Sequence, residues 1–158
     1  MSAYDHGLMM RAIELAREGM NANAGGPFGS VVARDGVILG EGQNRVTSTN
    51  DPTAHAEIVA IRAACGALGT FELAGCVIYA SCEPCPMCLA AIYWSRAERI
   101  YIACDRNDAA RAGFDDAYIY EELAAHPAKR SVPVEQRGRD EGLAVFDEWI
   151  KKPDKIEY

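Results

Sequence analysis

Two apolar runs of strand length, separated by a short helical segment, constrain the fold of this 158-residue chain more than any other feature. "GCVIYAS" and "RIYIAC" are nearly continuous apolar stretches, typical of strands buried on both faces. Between them, "PCPMCLAAIYWS" predicts a short helix. A strand, a helix and a strand in succession favour a parallel crossover, and we therefore expect an α/β fold.

The other elements are predicted from hydrophobic periodicity and turn residues. "FGSVVA" and "VILGEGQN" flank the turn signal "RDG", which predicts a β-hairpin from about Phe28 to Asn44. Apolar residues at helical spacing predict further helices over about 9–20, 54–68, 116–124 and 140–152. For the helix over 54–68 the expected capping residues are Asn50, Asp51 and Thr53.

Length and composition predict a single domain over residues 1–158. The chain is long enough to bury one hydrophobic core, and it shows no internal repeat, linker or low-complexity tract. With 49% hydrophobic and 25% charged residues, the composition is that of an ordinary globular protein. We expect a three-layer α/β/α sandwich with a central mixed sheet.

The charge balance excludes some classes of partner. The net charge of −7, from 23 acidic and 16 basic residues, repels phosphate polyanions, so we expect a small-molecule substrate and no nucleic acid. The opening "MSAYDHGLMMRAIELAREGM" mixes charges into its apolar residues, unlike a signal peptide or a membrane span. We expect a cytoplasmic protein with no membrane partner.

Three of the six cysteines lie within the eight residues of "SCEPCPMC". A chain of this length without a secretory signal has little need of disulfides, so reduced thiols are expected. Clustered thiols then indicate metal ligands or catalytic groups, whereas isolated ones such as Cys65 and Cys76 indicate small buried apolar residues.

His55 and Glu57 open the long helix, and Cys85 and Cys88 open the short one, with Pro84 directly before the first sulfur. This HxE and PCxxC pattern is the signature of zinc deaminases. Two cysteines three residues apart lie on one face of a first helical turn and can chelate one ion. His55 and Glu57 are about 200° apart on an ideal helix, so they can converge only at its N-terminus.

The chemistry expected from this pattern separates ligands from the acid–base group. Two thiolates and one neutral imidazole balance the charge of Zn²⁺ and leave a fourth position for a water molecule. Helix N-termini aimed at the metal add partial positive charge. A carboxylate outside the ligand set, Glu57, can take a proton from that water and later deliver protons to the substrate.

Other interpretations of these residues stay open from the sequence. Cys85 and Cys88 also fit a redox pair or a structural zinc site, although a redox pair leaves His55 unused. Cys82 is either a competing ligand or a buried thiol at a strand end, and Glu57 alone resembles a solvated first-turn acid. The "GGPFG" stretch lacks the lysine of a phosphate loop and fits a turn.

Four longer motifs resemble the cytidine deaminase superfamily and, within it, the bacterial guanine deaminases: "GGPFGSVV", "EGQNRVTSTNDPTAHAEI", "SCEPCPMCLAAIYW" and "AGFDDAYIYEE". The resemblance implies a cytidine deaminase-like fold and hydrolysis of guanine to xanthine and ammonia. It implies one Zn²⁺ per chain held by His55, Cys85 and Cys88, with Glu57 as the proton shuttle.

The resemblance also implies a set of substrate-binding residues. Asn44 and the ring of Phe28 hold the base, and Asp116, also counted as catalytic, accepts hydrogen bonds from guanine donors, with Asp115 as its alternative. The remaining implied contacts are Ala56, Trp94 and Tyr158.

The resemblance implies a homodimer, in which the C-terminal segment, about 140–158, can swap across to the partner as it does in guanine deaminases. The segment over 125–153 nevertheless departs from the family pattern. Alternative substrates are a guanine nucleoside, cytosine, an aminotriazine or tRNA adenosine, and the alternative class is a non-catalytic zinc-binding module.

Overall fold

A computed structural model describes residues 3–158, and the chain divides into two compact units, one ending at Ala117 and the other running from Tyr118 to Tyr158. In this described range the first unit contains four strands, β1 (Gly29–Arg34), β2 (Val37–Gln43), β3 (Val77–Cys82) and β4 (Arg99–Cys104). Its helices are α1 (His6–Asn21), α2 (Val46–Thr49), α3 (Ala56–Leu68), α4 (Pro86–Trp94) and α5 (Arg106–Arg111).

The four strands form one mixed sheet in the order β2-β1-β3-β4. β1 pairs with β2 and with β3 in antiparallel orientation, whereas β3 and β4 are parallel, with Ile78 opposite Ile100. The predicted hairpin and the predicted parallel crossover through α4 are therefore both confirmed. At the hairpin tip Asp35 and Gly36 have φ of 52° and 78°, the positive values that a tight two-residue turn requires.

Helices cover both faces of the sheet because the strand residues alternate between two hydrophobic clusters. On one face α1 packs against β1 and β3, with Leu8, Met9, Ala12, Leu15, Val31, Ala33, Val77 and Tyr79 buried. On the other face α3 and α4 pack against the same strands, with Val32, Ala60, Ala64, Ile78 and Ile92 buried. This arrangement confirms the three-layer α/β/α sandwich.

The start of α3 lies unusually close to β2 because the strand has glycine at the crossing point. A Cβ atom built on Gly42 would meet the carbonyl oxygen of Ala56 at 2.1 Å and the backbone nitrogen of Ala60 at 2.6 Å. Only a residue without a side chain permits this approach. Gly42 thereby sets the depth at which the first turn of α3 sits on the sheet.

Two sequence-based expectations are wrong in this unit. β4 is an edge strand rather than a buried one, and 42% of the surface of Ile102 is exposed. The side chains of Asn50, Asp51 and Thr53 do not cap α3, which begins at Ala56 with His55 as its cap residue. Oδ1 of Asp51 instead accepts hydrogen bonds from the backbone nitrogen and hydroxyl of Thr53, at 2.8 and 2.7 Å.

The second unit contains α6 (Ala117–Ala124), which begins at the boundary, a 3₁₀ turn (Pro127–Lys129) and α7 (Arg139–Lys151). These helices confirm the two predicted over 116–124 and 140–152. Glu122 and Arg130 hold the turn to α6: Nε of Arg130 donates to the Glu122 carbonyl at 3.0 Å, and Ser131 donates to the Glu122 carboxylate. None of the helices in the described residues is both long and apolar enough to cross a bilayer.

Candidate active site

His55 lies at the N-terminal cap of α3, outside the helical geometry of the residues that follow. Its φ and ψ are −70° and 157°, whereas Ala56 and Glu57 are the first two helical residues. The side chain of His55 therefore leaves the chain in a direction that an ideal helix would not give it. This cap geometry removes the separation of about 200° that a continuous helix would impose on His55 and Glu57.

Cys85 occupies the same position at the start of α4. It is the cap residue, with φ and ψ of −64° and 168°, and Pro86 is the first helical residue. A proline is favoured there because the first helical N–H has no partner within the helix. Cys88 follows on the first turn and is fully buried.

The two helix starts bring His55, Cys85 and Cys88 together. One ligand atom from each lies within 4.8 Å of the others, and Nδ1 of His55 is 3.6 Å from Sγ of Cys85. In a tetrahedral zinc site with Zn–S of about 2.3 Å and Zn–N of about 2.0–2.1 Å, a sulfur and a nitrogen are about 3.6 Å apart. The donor set and this separation both fit a zinc ion.

Negative charge is already favoured at this cluster. The Cys88 thiol and the His55 ring lower the pKa of Cys85 to about 4, against the effect of burial. The pKa of Cys88 is raised, mainly by the adjacent Cys85 and by burial, and the contact with Cys85 raises the pKa of His55. At neutral pH the cluster therefore holds one thiolate, the form in which cysteine binds metals.

Glu57 lies beside this cluster but outside it. Only 8% of its surface is exposed, and burial raises the pKa of its carboxyl group above the usual value, while hydrogen bonds from its own backbone N–H and the Cys88 thiol oppose the shift. A buried carboxyl group with a raised pKa can both accept and donate a proton near neutral pH. A solvated first-turn acid would have neither the burial nor this shift.

Asn44 follows β2 and is 6% exposed. Its Oδ1 accepts hydrogen bonds from the backbone N–H groups of Gly26 at 3.3 Å and Val46 at 3.2 Å. Because both bonds use the oxygen, the amide nitrogen is the group that can donate to an acceptor on a bound ring.

Phe28 and Phe114 form an edge-to-face pair with ring centroids 4.9 Å apart and an interplanar angle of 84°. Two aspartates follow Phe114 in the chain. Oδ1 of Asp115 accepts a hydrogen bond from the backbone N–H of Ala117 at 2.9 Å, and the residue is exposed. Asp116 is half-buried, and its pKa is raised by burial and by the charge of Cys85. The charge of Cys85 therefore acts on the Asp116 carboxyl group, whereas the Asp115 carboxylate stabilises a local turn.

The structure brings some of the other predicted residues to the site and not others. Ala56 is buried next to His55 as the first residue of α3. Trp94 is the last residue of α4, 63% exposed, with the Arg96 guanidinium 5.9 Å from its ring centroid, at the opposite end of the helix from Cys85. Tyr158 belongs to the second unit, and its contact with substrate stays a prediction.

Cys82 is the buried thiol at a strand end rather than a member of the group. Its Sγ donates a hydrogen bond to the carbonyl of Asp105 at 3.4 Å, and burial raises its pKa to about 11. It is therefore protonated at neutral pH. All six cysteines lie within the described residues and are free in the structure.

The sequence interpretation missed a pair beside the cluster, Glu83 and Arg106. The Glu83 carboxylate accepts hydrogen bonds from the backbone nitrogen and from the guanidinium of Arg106. An acid between two cysteines was a visible signal, but no short-range pattern indicates a partner 23 residues later in the chain.

Comparison with protein families matches residues 2–104 to the cytidine and deoxycytidylate deaminase zinc-binding region. Guanine deaminase of Bacillus subtilis strain 168 is 51% identical over 150 residues, which cover 95% of this chain and 96% of that protein. The tRNA-specific adenosine deaminase of Agrobacterium fabrum is 48% identical over 75 residues, 48% of this chain and 49% of that protein.

The fold of this chain is similar to a solved structure along almost its whole length. The X-ray structure of guanine deaminase from Bacillus subtilis superposes with a TM-score of 0.95 at 50% sequence identity, covering 98% of this chain and 99% of that one. A guanine deaminase from Nitrosomonas europaea gives a TM-score of 0.68 at 29% identity, covering 92% of this chain and 74% of that one.

Proposed function

The chain belongs to the cytidine and deoxycytidylate deaminase family of zinc-binding enzymes, and from this membership we propose that it hydrolyses guanine to xanthine and ammonia. The observation that supports hydrolytic chemistry most directly is the buried Glu57 beside the group of His55, Cys85 and Cys88. A structural zinc site is closed by four protein ligands, whereas this group offers three and leaves one position for water, with a buried carboxyl group beside it that is not a ligand.

We propose that one zinc ion per chain is held by His55, Cys85 and Cys88. Bound there, zinc acts as a Lewis acid that makes a water molecule nucleophilic near neutral pH. The helix starts at His55 and Cys85 aim the positive ends of two helix dipoles at the cluster, which offsets the charge of the sulfur ligands.

Glu57 moves the protons of the reaction. Hydrolysis adds one water to the ring carbon that bears the 2-amino group of guanine and releases that group as ammonia. The Glu57 carboxylate takes a proton from the attacking water and delivers it to a ring nitrogen. It then takes the second proton of that water from the new hydroxyl group on the ring carbon and delivers it to the departing amine, as the C–N bond breaks and the carbonyl forms. Burial raises the pKa of the Glu57 carboxyl group, so that it can both accept and donate protons during the reaction.

Asn44, Phe28 and Asp116 orient the ring. The Asn44 amide nitrogen donates to an acceptor of the base, and the Phe28 ring packs against its face. The Asp116 carboxylate accepts hydrogen bonds from guanine N–H donors. We assign this role to Asp116 because it is half-buried, whereas Asp115 is exposed and accepts a hydrogen bond from the backbone of Ala117. Ala56 and Tyr158 complete the proposed substrate contacts, whereas Trp94 stays a prediction from the family resemblance alone, because its exposed ring lies at the end of α4 opposite to Cys85.

We propose that the enzyme is a cytoplasmic homodimer whose C-terminal segment, 140–158, swaps across to the partner. Free thiols in the cluster fit a reducing compartment. Dimer formation is supported within the first unit by exposed apolar side chains on α4 and β4, namely Tyr93, Trp94 and Ile102.

The test is ammonia release by metal-analysed protein from guanine, guanosine, adenine, cytosine, ammeline and tRNA, with the Glu57→Gln protein as the background. We expect release from guanine and much less from the other compounds. Release from tRNA adenosine alone would overturn the proposal, although a net charge of −7 opposes a polyanionic substrate. Turnover of only cytosine or ammeline would overturn the assignment of Asp116 to guanine donors.

A further inference from the structure

Glu83 and Arg106 join the loop before Cys85 to helix α5. The Glu83 carboxylate accepts from the backbone N–H of Arg106 at 3.1 Å, from its Nε at 3.1 Å, and from Nη2. The backbone N–H of Glu83 donates to the carbonyl of Cys104 at 2.9 Å. Side chain and backbone of one residue therefore fix residues 83–85, the metal loop, to the junction of β4 and α5.

Helix α5 is short but has defined ends. At its start Asp105 accepts from the backbone of Asn107 and Asp108, and the Asp108 carboxylate accepts from the backbone of Asp105, a capping box. At its end Gly113, with φ of 91°, donates to the Ala110 carbonyl at 2.9 Å.

The residue after Gly113 completes the end of the helix. The backbone N–H of Phe114 donates to the Ala109 carbonyl at 3.0 Å, and together with the bond from Gly113 this forms a Schellman motif. The left-handed backbone at Gly113 is one that residues with a side chain rarely adopt. The chain direction after α5 is thus fixed by backbone hydrogen bonds.

The segment that follows α5 contains Phe114 and Asp116. The edge-to-face contact of Phe114 with Phe28 holds the segment from the other side, at a centroid distance of 4.9 Å. A Cβ atom on Gly26 would meet both rings at 3.1 Å, so the absence of a side chain at Gly26 leaves room for this contact. The positive charge of Arg106 also acts on Asp116 and lowers its pKa, against the larger effect of burial.

We propose that Arg106 is a positioning residue for substrate binding: through its pairing with Glu83 it fixes α5 against the metal loop, and α5 in turn fixes the Asp116 carboxylate. This inference rests on the proposed function, because it takes Asp116 to be a substrate contact. The planar guanidinium matters because it bonds one carboxylate through two nitrogens, a geometry that a lysine ammonium group does not reproduce.

The first test compares Arg106→Ala with Arg111→Ala in the zinc-loaded full chain. Arg111 is a matched control on the same helix, with an 84% exposed side chain 3.7 Å from Asp108. For Arg106→Ala we expect the KM for guanine to rise about tenfold while kcat changes less than about threefold, because a lost ring contact weakens binding in both ground and transition states. Arg106→Lys should recover part of the loss, and Arg111→Ala should match the unaltered protein.

A second readout does not need substrate. Hydrogen exchange of the amides over 105–116 should accelerate in Arg106→Ala and not in Arg111→Ala, with zinc content unchanged in both. If Arg106→Ala fails to fold, Arg106→Lys and Glu83→Gln decide the question on the same two measurements.

The outcomes separate this inference from the proposed function. If the unaltered protein does not act on guanine but exchange over 105–116 accelerates, the proposed function fails and the positioning of the segment by Arg106 stands. An unchanged KM, unchanged exchange over 105–116, or loss of zinc from Arg106→Ala would each overturn the inference.

Discussion

Nδ1 of His55 lies 3.6 Å from Sγ of Cys85, although 30 positions separate the two residues in the chain. Each is the cap residue of a helix, with extended backbone, and neither side chain makes a capping hydrogen bond to its own helix. Both side chains are therefore available to a metal rather than to the helix ends.

Zinc loading should release protons. Cys85 is already a thiolate near neutral pH, whereas the raised pKa of Cys88 keeps that sulfur protonated until a metal binds. Adding zinc to chelator-treated protein at about pH 7 should release at least about one proton per chain, measured with a weakly buffered indicator dye. The Cys104→Ser protein, which lacks an exposed thiol outside the group, should release the same number of protons as the unaltered protein. Absence of proton release would contradict the assigned protonation of Cys88.

Replacing Glu57 should separate catalysis from metal binding. Glu57→Gln should lower the kcat for guanine by about 10²–10⁴-fold, because the amide cannot transfer the protons, while zinc content stays unchanged. His55→Ala should lose both zinc and activity, and Glu98→Gln, an exposed acid on the same unit, should lose neither. Full activity of Glu57→Gln would rule out the proposed mechanism.

Asp116 should contribute to guanine binding more than Asp115 does. Asp116→Asn should raise the KM for guanine by about 10- to 100-fold, because a charged acceptor is replaced by a neutral amide. Asp115→Asn should have a smaller effect, since the exposed Asp115 accepts a local backbone hydrogen bond. Equal effects of the two substitutions would contradict this assignment.

Guanine binding should weaken in acid in a way that depends on Asp116. Its pKa is raised by burial and by Cys85, and the ionised form is the one that accepts hydrogen bonds, so binding is present above the raised pKa and is lost as pH falls through it. Equilibrium dialysis of guanine with Glu57→Gln protein isolates this step from turnover. In the double variant Glu57→Gln/Asp116→Asn, guanine binding should no longer depend on pH in this range. If the same pH dependence persists, a group other than Asp116 is titrating.

Gly42→Ala should destabilise the protein and loosen the metal cluster. The new Cβ would meet the Ala56 carbonyl oxygen at 2.1 Å, so α3 must move away from β2, at a cost of about 1–3 kcal/mol in the free energy of unfolding. Gly66→Ala is the matched control, because a Cβ at that exposed helical position meets nothing within 4 Å. Gly66→Ala should raise the free energy of unfolding, measured by urea denaturation of both variants, by about 0.5–1 kcal/mol. Equal stability of the two variants would contradict the close approach.

The local elements could be predicted because they depend on nearby residues. Turn residues at Asp35 and Gly36, apolar spacing in α1 and α3, and Pro86 at the start of α4 are signals within a few positions of the structures they specify. The exposure of β4 could not be predicted in this way, since an apolar strand looks the same whether it lies inside a sheet or at its edge. The prediction of the capping residues of α3 was wrong because the Asp51 carboxylate accepts a hydrogen bond from Thr53 instead of from the start of the helix.

The sequence by itself determined the residue types of the candidate metal group, their spacing at two helix starts and the family to which the chain belongs. The tertiary structure alone decided that Cys82 lies outside the metal group, that Glu57 is buried, and that Glu83 pairs with Arg106. The physical reason is that desolvation and charge pairing depend on which distant segments pack together. A pKa is therefore a property of the folded site, whereas a motif is a property of neighbouring residues.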